Sequence, residues 1–127
     1  MITTGTNETL QEGLYNEWLN NLSMYQQELE HLEELVIKAN RGIQLDASIE
    51  LDALKELIAT QHKTLADLTI EVLHKRKQVK VKGELHQGVI AFSEVLMNNQ
   101  LRDKIRKAEH SVFYLKYHVN KLLSIAS

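Results

Sequence analysis

From Tyr15 to Ile43 the apolar residues fall at alternating spacings of three and four: Tyr15, Trp18, Leu22, Tyr25, Leu29, Leu32, Val36, Ala39 and Ile43. An α-helix turns once in 3.6 residues, so this spacing keeps all nine on one side of the helix. They form an apolar seam about 45 Å long. A half-buried strand would need alternation by two. A stripe this narrow covers less than half of the helix surface, and such a helix is not stable alone. It has to bury the stripe on a neighbour. The chain contains no proline, where average usage would give about six. Nothing in it therefore forces a helix to break.

The pattern recurs twice. A second seam runs through Leu51, Leu54, Ile58, Gln61, Leu65, Leu68, Val72, Lys75 and Val79. Gln61 is a polar interruption, either a buried group that fixes register or a residue at a wet edge. The third segment opens with Leu85, Val89, Phe92 and Leu96, then continues as Leu101, Ile105, Ala108, Val112, Leu115, Val119, Leu122 and Ala126. These two stretches are out of phase, and the slip falls at Asn98-Asn99. A kink, a bulge or a short break is expected there; a true turn would make four helices.

The expected fold is all-α, an antiparallel three-helix coiled-coil bundle forming one domain over residues 1–127. Its helices are expected at about 8–41, 47–79 and 84–125, after a flexible N-terminus at 1–7. Thr9-x-x-Glu12 suits a capping box at the first helix. Asn40-Arg41-Gly42 suits its end, and Asp46 suits the cap of the second helix. The second helix is expected to fray in "QVKVKG", with a short extended piece at Val79 to Val81, and to stop at Gly83.

Hydrophobic residues make up 43% of the chain and charged residues 25%, which fits a packed domain and not a disordered one. There is no cysteine, so disulfide and thiolate chemistry are excluded. No apolar run reaches the roughly 18 residues of a membrane span. The start "MITTGTNETL" lacks the basic and apolar regions of a signal peptide. A cytoplasmic protein is the expectation.

Net charge is −2, but it is unevenly spread: residues 1–56 carry −8 and residues 57–127 carry +6. The densest basic run is "HKRKQVKVKG", with Lys75, Arg76, Lys77, Lys80 and Lys82. A second lies at Arg102, Lys104, Arg106 and Lys107. Either could grip a polyanion such as nucleic acid. In an antiparallel bundle, however, Tyr15 comes level with Lys75. Glu8, Glu12 and Glu17 would then face the first run, and Glu28, Glu30, Glu33 and Glu34 the second. Charge neutralised within the molecule is the preferred reading, and nucleic-acid association the alternative.

Two Glu-x-x-His spacings, Glu28/His31 and Glu71/His74, match the pairs that hold di-metal centres in helical bundles. The heptad register turns them outward, and the seams offer no further carboxylate. No metal and no other cofactor is expected. His62, His86, His110 and His118 read as exposed helix histidines. There is no phosphate loop or nucleophile motif, so no catalytic residue is assigned and the chain is read as a non-enzyme.

One feature lies outside the seams. In "AEHSVFYLKYHVNKLL", Phe113, Tyr114, Tyr117 and His110 fall on the outer side of their helix. Aromatic residues on an otherwise polar face are enriched at protein interfaces. The expected partners are a second copy of the chain, as a homodimer or higher oligomer, and an unidentified protein. Trp18, Tyr25, Glu28 and Leu29 in "EWLNNLSMYQQELEHLEEL", with Lys38-Ala39-Asn40 and "VFYLKYHVNKLLS", resemble a set of short bacterial all-helical proteins with no assigned activity. The resemblance implies the fold and nothing about function.

Overall fold

The computed structural model describes the backbone of residues 3–40, 45–86 and 92–126, and the side chains of 11–39, 49–78 and 98–124. All of the described backbone is helical. Helix α1 is Thr3–Asn40, α2 is Leu45–His86 and α3 is Phe92–Ala126. They pack on one another as a three-helix bundle. Two compact units can be distinguished, one built from Met1–Ser23 and Ala66–Arg106, the other from Met24–Leu65 and Lys107–Ser127. Helices α1 and α3 pass from the first unit to the second and α2 passes back. Within each unit, then, α2 runs against the other two.

The first unit is centred on Tyr15, Trp18 and Leu22 of α1, Leu68 and Val72 of α2, and Leu101 and Ile105 of α3, all buried. The two rings lie tilted with centroids 5.7 Å apart, as aromatic pairs prefer. The Tyr15 hydroxyl donates to Asn98 Oδ1 at 2.8 Å. Lys104 of α3 reaches Glu71 of α2 at 3.3 Å.

The second unit has an aliphatic centre: Leu29, Leu32 and Val36 of α1, Leu51, Leu54, Ile58 and Leu65 of α2, and Ala108, Val112, Leu115, Val119 and Leu122 of α3. Tyr25 occupies a seam position and donates its hydroxyl to Glu109 of α3. Burial, helped by that carboxylate's hydrogen bond and charge, pushes the phenol up to about 12. Lys116 of α3 pairs with Glu28 of α1 at 2.9 Å. The Gln26 amide of α1 brackets His62 of α2, donating to its carbonyl at 3.0 Å and meeting its ring Nδ1.

Several expectations are corrected. Helix α3 crosses Asn98-Asn99 without a break, and the described residues form three helices, not four. The seam of Leu101 continues upstream through a polar member. Asn98 stands three residues before Leu101, half-buried, with its amide oxygen taken by Tyr15. Leu85, read as the start of the third seam, belongs to α2, and Val89 lies outside the described residues. Gly83 does not end α2, nor is Val79 to Val81 extended, since the helix runs to His86. A helical glycine costs only about 1 kcal/mol, and no proline follows to enforce a stop.

Another correction concerns register. Tyr15 meets Asn98 and Tyr25 meets Glu109, separations of 83 and 84 residues. Because α2 runs on to His86 and α3 begins only at Phe92, the basic run at 102–107 does not reach Glu28. Arg102 bonds Asn99 of its own helix, Lys104 takes Glu71, and Glu28 goes to Lys116. The last concerns two histidines read as exposed: His118 is half-buried, and so is His62. His62 lies between Gln26 and Glu33, whose Oε2 is 3.6 Å from Nε2.

Helix α1 begins at Thr3, ahead of the expected start near residue 8, so Thr9 lies inside it. Helix α2 begins at Leu45, so Asp46 does too. The proposed stop at Arg41-Gly42 lies outside the described residues.

Candidate functional site: the outer face of α3

The seam of α3 sits at positions a and d of the heptad, which directs Phe113, Tyr114 and Tyr117 away from the other helices. Their exposures are 57%, 61% and 62%. His110 is exposed beside them. All four candidate interface residues thus share one side of α3 in the second unit. His118, half-buried, packs against both tyrosines. Its ring centroid lies 4.2 Å from Tyr114 and 5.4 Å from Tyr117. The rings are held in place by their own helix while most of their surface faces solvent.

A cleft of about 360 Å³ opens along this side between α2 and α3. Leu57, Thr60 and Gln61 supply one wall, and His110, Ser111, Tyr114 and Leu115 the other. Leu57 is 49% exposed at its rim. Gln61 carries an anomaly: its Oε1 is buried and has no hydrogen-bond partner. An unpaired buried polar atom forfeits about 1–3 kcal/mol. The α2 wall escaped the sequence reading. Leu57 stands next to a seam member and resembles ordinary flank, although the interruption at Gln61 did mark this level of the bundle.

The basic run of α2 is arranged differently. Lys75 and Arg76 are half-buried and Lys77 is exposed. Lys75 occupies its expected seam position and has contacts of its own. Arg76 donates to Asn16 Oδ1 at 2.8 Å, so it meets α1 through an amide and not a carboxylate. Glu12, Asn16, Leu73, Arg76 and Lys77 line one shallow cleft, which puts an acid beside the two bases. The side chains of Glu8, Lys80 and Lys82 lie outside the described residues.

The Glu-x-x-His pairs are divided between the units, Glu28/His31 in one and Glu71/His74 in the other. Each glutamate is engaged by a lysine. His31 is exposed, and the His74 ring meets the Gln78 amide at 3.2 Å. Among the described residues no three metal-ligating side chains come together. No described helix is long and apolar enough to cross a membrane. Comparison with protein-family models, with curated proteins and with solved structures found no match.

Proposed function

We propose that this protein works by contact and not by chemistry, as a helical interaction module that self-associates through the outer face of α3. The observation that carries the reading is the group of three large rings, each more than half exposed, on a helix whose described seam residues, Leu101 to Leu122, are buried. An isolated bundle gains nothing from them there. Rings held on a rigid helix lose little conformational freedom when a partner covers them, which makes aromatic side chains strong interface anchors. The adjoining cleft gives a partner's side chains somewhere to sit.

The test is sedimentation velocity over a range of protein concentrations. Wild type is expected to associate, and the triple variant Phe113→Ser, Tyr114→Ser, Tyr117→Ser to run as a monomer with unchanged helicity. Association that persists undiminished in the triple variant moves the contact to another surface. A wild type that stays monomeric at every concentration removes self-association from the reading.

A further inference from the structure

Lys107, Tyr114 and Lys121 stand seven residues apart, so they form one line along α3, beside the cleft. The two lysines are about 21 Å apart along the axis at 1.5 Å per residue. Both are exposed, and among the described residues neither has an ion-pair partner. From residue 104 onward the chain has a single acid, Glu109, and its carboxylate is taken by Tyr25. The α3 wall offered to a partner is therefore apolar in the middle and positive at both ends.

This charge pattern weakens a contact of α3 with α3 without preventing it, so the self-association proposed above is the weaker of two contacts this face can make. Two copies of α3 packed antiparallel about Tyr114 would set Lys107 of each opposite Lys121 of the other. Packed in parallel, they would set each lysine against its equivalent. Either way the like charges meet. Contact of α3 with α3 through this face leaves its lysines uncompensated.

We infer that the preferred occupant is an acidic amphipathic helix of another protein, lying along the cleft between α2 and α3. Its apolar side chains would sit between Leu57 and Tyr114, against Leu115, and its acids would meet Lys107 and Lys121. Two parallel walls with an apolar floor suit a helix laid in a groove. They do not offer the continuous positive track of a single-strand binder. The inference rests on the reading of α3's outer face as the working surface, and it names the partner's chemistry.

The probe is a synthetic helical peptide with leucines at its centre and glutamates four turns apart, compared with the same peptide carrying lysines in place of the glutamates. Binding to the full chain is followed by fluorescence anisotropy at low and high salt. Wild type is expected to prefer the acidic peptide at least tenfold, with the preference shrinking as salt rises. Lys107→Glu with Lys121→Glu should reverse it, and Tyr114→Ser should weaken both peptides. Tyr114→Ser binding like wild type would overturn the working surface itself. Loss on Tyr114→Ser with no change on charge reversal would overturn only the acidic partner. Equal binding of both peptides by wild type, or tighter binding of oligothymidylate than of the acidic peptide, would also overturn it. Salt separates the two contacts: screening weakens the acidic helix and strengthens self-association of the lysine-flanked face.

Discussion

The two units use aromatic residues in opposite ways. In the first, Tyr15 and Trp18 lie in the seam, packed ring against ring and shielded from water. In the second, Phe113, Tyr114 and Tyr117 stand outside a seam made of Leu, Val and Ala. Side-chain chemistry is the same in both; heptad position differs. A ring at a or d contributes its area to folding. A ring at b, c or f leaves that area for association, because no helix of its own chain covers it.

The sharpest way to break this comparison is to truncate one ring of each kind. Trp18→Ala removes a buried indole and should cost about 3–5 kcal/mol in urea unfolding. Phe113→Ala, measured in dilute protein, should stay within about 0.5 kcal/mol of wild type. Equal losses would mean that Phe113 is part of the core.

Tyr25 stands between the two kinds, half-buried in the second unit. Its phenol, ordinarily near 10, is pushed up to about 12 in the folded chain. Below pH 10 folded and unfolded chains both hold the proton. Between 10 and 12 the unfolded chain releases it first, so stability should fall with rising pH across that window. Tyr25→Phe should flatten that part of the alkaline profile, as read by thermal melts; an identical slope would place the alkaline loss elsewhere.

The smallest expected effect separates a buried hydroxyl from an exposed one. Tyr15→Phe removes the bond to Asn98 and leaves a half-buried amide short of a donor, at about 1 kcal/mol. Tyr117→Phe should change stability by less than about 0.5 kcal/mol. A neutral Tyr15→Phe would show that Asn98 finds water instead.

What could be read before the fold was seen follows from the physics of each feature. Apolar periodicity exposed the helices and nearly every buried residue, because burial at a and d is a local consequence of helix geometry. Asn98 was missed because a polar residue in a seam looks like a gap until its partner, Tyr15, is brought beside it. The extension of α2 past Gly83 was missed because glycine's helix penalty is small beside the packing of a long helix. The outer position of Phe113, Tyr114 and Tyr117 was legible from register alone. The cleft next to them was not, since Leu57 and Gln61 lie 52 or more residues away in sequence.

The sequence by itself determined that the chain is helical, which stripe each helix hides, and that three rings of α3 lie off that stripe. These follow from a periodicity carried within each segment. Only the tertiary structure decided the pairing of levels: Tyr15 with Asn98, Tyr25 with Glu109, Lys116 with Glu28, and Leu57 with Tyr114 across the cleft. Sliding one seam along another by a heptad keeps every apolar residue buried. The period alone is therefore indifferent to register, and polar bonds such as Tyr15 to Asn98 mark the one adopted.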